Sequence, residues 1–221
     1  MNFFNLKQDD ILPRFLQLAL VNMASYIMLP LVGIINLAFL GHLSDISQLA
    51  GVALGTILFD YLYRAMGFLR AGTTGLTAQA EGRGDREGVL LQGLRNGLIA
   101  LAIGLAILVL QYPLRELGFA LLNATPEVKT AAYNYFNARI WAAPAVTLRF
   151  VLIGWFLGQE MNGKAWLIIV FGITSDILLN YLLVFKMGLG SMGSGVAAAI
   201  DAYLMVLTGL ILVLGEVQFQ E

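Results

Sequence analysis

Long apolar stretches alternate with short polar segments along most of this chain. Six such stretches occur, at residues 15–40, 52–79, 90–110, 132–157, 165–185 and 193–214. A helix needs about 20 predominantly apolar residues to cross the hydrocarbon core of a bilayer, so each stretch has about the length of one span. Because lipid offers the backbone no hydrogen-bonding partners, such spans fold as α-helices. The pattern predicts an all-α membrane protein, a polytopic bundle of about six transmembrane helices.

Composition and charge narrow the class further. Hydrophobic residues make up 59% of the chain and charged residues 12%, with a mean hydropathy of +0.79. This leaves too little polar surface for a water-soluble globule, so the expected partner is the lipid bilayer. The chain has no cysteine and one histidine, which excludes disulfide frameworks, thiolate metal sites and most zinc sites. Nothing in the sequence indicates binding to nucleic acid.

Proline marks two interruptions of the helical pattern. Residues 114–122 form a short amphipathic piece that ends before Pro126, and it is predicted to be an interfacial helix. Pro144 lies within the fourth stretch. Because proline lacks a backbone N–H and its ring clashes with the preceding turn, it predicts a kink there.

The distribution of basic residues predicts the orientation of the chain. Cytoplasmic loops of membrane proteins carry an excess of Lys and Arg. With six spans, one side receives Lys7, Arg14, Arg83, Arg86, Arg95 and Lys164, and the other receives Arg115, Lys129 and Lys186. Both termini are therefore predicted to be cytoplasmic.

Three polar residues within the last two spans are the strongest candidates for function. Asp176 and Asn180 are four residues apart in the fifth span, hence on one helical face, and Asp201 lies in the sixth. A charge at the centre of a span costs roughly 3 kcal/mol on insertion scales, and intramembrane acids usually face cavities or proton routes. We therefore expect both acids to be functional and not merely structural.

Polar or small residues in two other spans are further candidates; of these, Asn36 is grouped with the acids, and Asn22, Gly33 and Arg149 are secondary. Asn22, Gly33 and Asn36 occupy one broad sector of the first span. Asparagine in a membrane helix also serves to join helices, so a structural role is the alternative for these positions. Arg149 lies deep in the fourth span and requires a carboxylate or carbonyl partner. We place all four among the residues that could line a cavity.

Several segments resemble one transporter family. They are Phe39-Leu-Gly-His-Leu43, Gly67-Phe-Leu-Arg-Ala-Gly-Thr-Thr-Gly-Leu-Thr-Ala-Gln-Ala80, Thr125-Pro-Glu-Val128, Gly154-Trp-Phe-Leu-Gly158 and Asn180-Tyr-Leu-Leu-Val-Phe185. Together they resemble the multidrug and toxic compound extrusion (MATE) family, particularly its DinF-like branch. The resemblance extends over nearly the whole chain, and the segment from Gly67 to Ala80 is its most specific part.

The resemblance implies secondary active efflux of amphipathic, often cationic, small compounds, driven by a proton or sodium gradient and without another cofactor. Family members have about twelve helices in two pseudo-symmetric six-helix lobes. This chain matches the N-terminal lobe, so residues 1–221 are expected to form a single transmembrane lobe. The implied partner is a second six-helix lobe, in the same gene product or in a separate chain. The implied location is the prokaryotic plasma (inner) membrane.

Two departures from the family pattern shift the expected site. The family usually has an acid in a V-D-x-A-F-like pattern of the first helix, whereas this chain has Asn36 there. The fifth helix of the family resembles N-x-x-x-D, whereas this chain has Asp176 and then Asn180. The resemblance therefore implies ion coupling at Asp176, with Asp201 as a second acid and the two amides as neutral hydrogen-bonding partners.

Two other classes of protein are weighed against the transporter. A truncated or degenerate helix bundle that transports nothing would show the same spans. An intramembrane enzyme is disfavoured, because Asp176 and Asp201 form the only candidate acid pair and lie in no motif of aspartyl membrane proteases. We therefore expect no enzyme activity. The identity of the exported compound and the choice between proton and sodium stay open.

Overall fold

The computed structural model of the chain describes residues 45–120 and 123–219, together with single positions 16, 19, 20, 23, 34, 35, 38 and 41. Three candidate residues of the first predicted span, Asn22, Gly33 and Asn36, lie outside these described residues. The account of the fold and of the site therefore rests on the spans that follow.

The described part of the chain is helical and contains no strand. Its α-helices are α1 (Ile46–Ala65), α2 (Gly67–Gly82), α3 (Arg86–Val109), α4 (Gln111–Ala120), α5 (Pro126–Arg139), α6 (Ala143–Gly158), α7 (Asn162–Asn180) and α8 (Gly190–Phe219). Within this part, five helical segments are long and apolar enough to cross a membrane: Ile46–Gly82, Arg86–Val109, Pro126–Gly158, Asn162–Lys186 and Gly190–Glu216. The predicted all-α membrane fold is confirmed.

Aspartate residues cap the starts of α1 and α3. Asp45 caps α1, where its carboxylate accepts from the backbone N–H of Ser47 at 2.9 Å and also from the Ser47 hydroxyl. These two bonds lower the pKa of Asp45, since both stabilise its charged form. Asp85 caps α3 in the same way, accepting from the N–H of Gly88 at 2.8 Å. The turn before it uses Gly84 at a φ of +68°, a conformation that favours glycine.

Proline shapes the path of the chain at two places. Pro144 occupies the first turn of α6, and the residues just before it, Ile140–Ala142, form a 3₁₀ turn that joins α5 to α6. The α-helix is thus interrupted where the sequence predicts it, because Pro144 has no N–H to donate to the preceding turn. Pro113 lies in the first turn of α4, where a missing N–H is tolerated. As a result α4 begins at Gln111, ahead of the predicted start at residue 114.

Helix α6 lies at the centre of the bundle and contacts α2, α3, α7 and α8. In the span Pro126–Gly158, 72% of the most apolar part is buried inside the bundle, a larger share than in any other described span. Glycines allow this close packing. A Cβ on Gly154 would lie 2.6 Å from the carbonyl oxygen of Arg70 in α2, and one on Gly104 of α3 would lie 2.4 Å from the Cα of Pro144. Small residues let membrane helices approach in this way.

The loops fall at two opposite ends of the bundle. At one end, the loop after α2, the loop after α6 and the end of α8 meet around a small cavity of about 100 Å³ lined by residues that include Arg86, Gln159 and Glu216. An ion pair between Lys164 and Glu216 joins α7 to α8 there. The starts of α1 and α8 meet elsewhere, where the N–H of Ser191 donates to Gln48 at 2.9 Å. Consecutive described spans therefore run in alternating directions.

Candidate functional site

Asp176 and Asn180 form a buried pair on one face of α7. Their exposed fractions are 8% and 1%. One helical turn separates them, so the side-chain amide of Asn180 donates both to the backbone carbonyl of Asp176, at 3.0 Å, and to its Oδ1, at 3.1 Å. The other polar atom of the amide, Asn180 Oδ1, is buried and accepts no hydrogen bond from the described residues.

A hydrogen bond between helices brings the second acid to this pair. Asp201 of α8 is buried, and its Oδ1 accepts a hydrogen bond from the hydroxyl of Ser175, the residue next to Asp176. The same hydroxyl also contacts the carbonyl of Gly172 at 3.0 Å. We refer to Ser175, Asp176, Asn180 and Asp201 as the acid cluster. Two carboxylates on adjacent membrane helices are thereby placed in one polar environment.

Arg149 of α6 lies beside the acid cluster but makes no ion pair with it. Its Nη1 donates to the thioether sulfur of Met205 at 3.3 Å, and its guanidinium carbon lies 5.8 Å from the ring centre of Phe150. It is within electrostatic range of Asp201 and Asp176. The sequence predicts a carboxylate or carbonyl partner, and among the described residues the two acids act on the guanidinium through their charge and not through a hydrogen bond. The reason is that Asp201 turns an oxygen toward Ser175, which leaves the sulfur as the near acceptor.

Arg139, the other arginine of this span, has a more complete set of contacts. Its guanidinium donates to the hydroxyl of Tyr135, and its central carbon lies 4.8 Å above the ring of Phe59. The Tyr135 hydroxyl also pairs with that of Thr56 at 3.1 Å. Cation–π stacking and a phenolic partner offset the cost of burying this charge. Arg139 therefore has a structural explanation within the bundle.

Tyr63 of α1 is a buried residue near Arg139 and Arg149. Its side chain is 8% exposed, and its hydroxyl is buried without a hydrogen-bonding partner among the residues the structure describes. The ring stacks on Phe59 with centroids 5.6 Å apart. The hydroxyl lies within electrostatic range of both Arg139 and Arg149. An unpaired hydroxyl next to an arginine leaves hydrogen-bonding capacity at this point.

Sequence reasoning missed Ser175, Tyr63 and Met205. Serine next to an acid could have been noticed, because hydroxyls often bond across membrane helices. Tyrosine and methionine carry no comparable signal, since both are common in apolar cores. The predicted residues Asp176, Asn180, Asp201 and Arg149 lie near one another on α6, α7 and α8.

The chemistry of the acid cluster suits a proton or a hard cation. Carboxylates can take up and release protons, and carboxylate, amide and hydroxyl oxygens are the ligands that such cations prefer. Within the described ranges, no three acidic or histidine side chains come close enough together to hold a metal ion.

A helical bundle with acids buried between its last two helices defines a polytopic membrane protein with a polar site inside the membrane. The MatE family model matches residues 22–182, which is most of the chain, and the chain therefore belongs to the MatE family. Members of this family are transporters and not enzymes, and they need no cofactor. The resemblance read from the sequence is confirmed.

Individual relatives agree with this assignment. The chain is 33% identical over 196 residues to the DNA damage-inducible protein F of Escherichia coli (strain K12), an alignment that covers 89% of this chain and 43% of that protein. It is 28% identical over 182 residues to the multidrug resistance protein NorM of Aliivibrio fischeri, covering 80% of this chain and 39% of the relative.

A solved structure shows the same fold. It is the outward-facing conformation of a multidrug resistance MATE family transporter of the MOP superfamily, with a TM-score of 0.78 and 21% identity, covering 90% of this chain and 43% of the other. The chain spans about two fifths of the length of the relatives it matches. It thus corresponds in extent to one lobe of a two-lobed transporter.

Proposed function

We propose that this chain supplies the N-terminal lobe of a secondary active efflux transporter for amphipathic, often cationic, compounds. The observation that carries the proposal is the pair of buried acids, Asp176 and Asp201, within a bundle of the MatE family. Buried carboxylates are costly in a membrane and are usually retained for ion or substrate binding. The name of the NorM relative, a multidrug resistance protein, supports the export of drugs.

Coupling would act through the charge of the acid cluster. When Asp201 is ionised, its Oδ1 accepts from Ser175 and holds α7 against α8. A bound proton or sodium ion would cancel one negative charge and weaken the attraction of the cluster for a cationic compound. Because the same oxygens hold the helices together, ion binding would also alter how α7 and α8 pack. This links ion uptake to release of the compound.

A second six-helix lobe would complete the path of the compound. The lobe could belong to the same gene product or to a separate chain, and the complete transporter would lie in the bacterial inner membrane with both termini of this lobe in the cytoplasm. Asn36, predicted from the family pattern to face the acid cluster, would add a neutral hydrogen-bonding group from the first span. The rival hypothesis is a bundle that transports nothing.

Transport by the intact protein with Asp176→Asn tests the proposal. Uptake of a cationic dye is measured in everted membrane vesicles with a proton gradient or a sodium gradient imposed separately. Asparagine keeps the shape of the side chain but cannot ionise. Gradient-driven uptake should therefore fall at least about tenfold, the effect expected when one charge-dependent interaction is lost. The gradient that drives uptake by the unaltered protein identifies the coupling ion.

The matched control is Glu127→Gln, which neutralises an exposed acid at the start of α5. It should leave uptake unchanged, because Glu127 lies away from the acid cluster. Undiminished uptake by the Asp176 variant would remove this residue from the coupling mechanism. If the intact protein moved no dye under either gradient, the hypothesis of a bundle without transport activity would replace the present one.

A further inference from the structure

Arg149 is the charged side chain of the site whose hydrogen bonding is least complete. A guanidinium carries five N–H donors and cannot be deprotonated in a protein. Among the described residues, Arg149 donates one hydrogen bond, to the sulfur of Met205, which is a weak acceptor. Arg139, in the same span, stacks on Phe59 and donates to Tyr135. The two arginines are thus partly buried in the same bundle with very different sets of partners.

Two further buried polar atoms of the bundle also lack partners. The hydroxyl of Tyr63 and the Oδ1 of Asn180 are buried without a hydrogen bond from the part of the chain that the structure describes. Buried polar groups in native proteins are nearly always paired, and unpaired ones indicate a missing water, ion or ligand. The Tyr63 hydroxyl lies within electrostatic range of Arg149, so unmet hydrogen-bonding capacity on α1 and α6 occurs in the same region.

The two acids balance part of the charge of Arg149, but they accept no hydrogen bond from it. Asp201 and Asp176 lie within electrostatic range of the guanidinium, so its positive charge is partly balanced. The hydroxyl of Ser175 and the amide of Asn180, however, are the groups that donate to these carboxylates. A planar guanidinium binds a carboxylate through two parallel hydrogen bonds, and it selects such groups wherever its donors are accessible.

We propose that Arg149 is a specificity-determining residue that binds the carboxylate of an exported zwitterionic amphiphile. This inference rests on the proposed transport function and names the class of its substrate. The carboxylate lies against the guanidinium and accepts from the Tyr63 hydroxyl, while the cationic group of the compound faces the carboxylates of Asp176 and Asp201. Apolar side chains such as Phe150 and Met205 pack against the hydrocarbon part.

A pair of dyes that differ by one methyl group tests the role of Arg149. The acid dye is a rhodamine with a free carboxylic acid, and the ester dye is its methyl ester, so both carry the same delocalised cation but only the first carries a carboxylate. Uptake of each is measured in proteoliposomes that contain the full-length transporter, under the gradient that drives it. Binding of each dye to the detergent-purified protein is measured in parallel by fluorescence anisotropy.

Arg149→Gln should weaken binding and uptake of the acid dye about ten- to a hundredfold, the range for a lost charge-assisted hydrogen bond. The ester dye should change by less than about threefold, since it makes no bond that depends on the positive charge. Arg149→Lys should recover part of the loss, because lysine restores the charge but not the two parallel bonds. Arg95→Gln, at an exposed arginine of α3, is the matched control and should change neither dye.

Equal losses for both dyes in Arg149→Gln would overturn the proposal and make Arg149 a counter-ion of the acid cluster. Arg149→Lys guards against a folding defect. If this variant elutes as a monodisperse peak, it is folded, and its loss should still be larger for the acid dye than for the ester dye. A full-length protein that binds and transports the ester dye but not the acid dye would also overturn it, with the transport function intact. If neither dye is transported, anisotropy still decides: selective loss of acid-dye binding supports the role of Arg149, and equal binding refutes it.

Discussion

At the scale of single residues, the hydroxyl of Ser175 connects the two acids of the site. It donates to Asp201 on α8 while its neighbour Asp176 is held by Asn180 on α7. Removing the hydroxyl in Ser175→Ala would leave a buried carboxylate oxygen without its donor, at a cost of roughly 1–3 kcal/mol. We expect a lower midpoint of thermal unfolding in detergent and weaker gradient-driven uptake in the same vesicles.

Thr174→Val is the control for this change. It removes a hydroxyl one residue away that is exposed and bonds only within α7, to the carbonyl of Val170 at 2.9 Å. Its midpoint and uptake should match those of the unaltered protein. If both variants behaved alike, the bond between Ser175 and Asp201 would contribute nothing beyond the packing of α7.

The spacing along one helix predicts contacts within that helix but none between helices. Asn180 follows Asp176 by four positions, and its amide does donate to the acid. The partner of Asp201 depends on how far α8 is shifted along α7, which no periodicity within either helix reveals. The same limit explains Arg149, whose depth is evident from its span but whose contact with Met205 depends on the packing of α6 against α8.

At the scale of helices, close packing of α2 against α6 depends on two glycines of α6. Gly154 and Gly158 face Thr73 and Thr77 of α2, and both threonines are almost completely buried. A methyl group on Gly154 would lie 2.6 Å from a backbone oxygen of α2, which cannot move aside as a side chain could. Gly154→Ala should therefore push the helices apart and destabilise the fold by about 1–3 kcal/mol.

Gly75→Ala provides the comparison for this packing effect. Gly75 is an exposed glycine of α2 with nothing within 4 Å of its added Cβ, so the substitution changes helix propensity without overpacking. It should leave the thermal midpoint equal or slightly higher, because alanine favours a helix more than glycine does. Equal midpoints for the two variants would show that α2 and α6 can separate without loss of stability.

Hydropathy predicts where helices cross the membrane better than where they begin and break. The described spans follow the apolar stretches, and Pro144 marks the 3₁₀ turn before α6. The separation of α1 from α2 at Met66 is not visible in the sequence, since apolar residues continue through it. Helix α1 begins at Ile46, directly after its capping residue Asp45, whereas the predicted span begins at residue 52. The π-helical segment Tyr181–Lys186, directly after Asn180, likewise has no sequence signal.

At the scale of the whole molecule, the loops that share one end of the bundle predict its orientation in the membrane. The loop after α2 and the loop after α6 share one end with the ion pair of Lys164 and Glu216. Basic residues of both loops, including Arg86 and Lys164, therefore accumulate on the same side. Because positive loops stay in the cytoplasm, this end of the bundle should be cytoplasmic, and so should the C-terminus of the lobe.

Single cysteines provide a direct test of this orientation, because the chain has no cysteine of its own. Gly82→Cys places a thiol at the exposed end of α2, where nothing lies within 4 Å of the new Cβ, and Asn123→Cys places one in the exposed segment after α4. A membrane-impermeant maleimide added to intact spheroplasts should label Asn123→Cys alone, and lysis should expose Gly82→Cys. Labelling of Gly82→Cys from outside would show that the lobe has the opposite orientation. Arg83, Arg86 and Lys164 would then lie on the external side, and the acid cluster would have to take its ion from the opposite compartment.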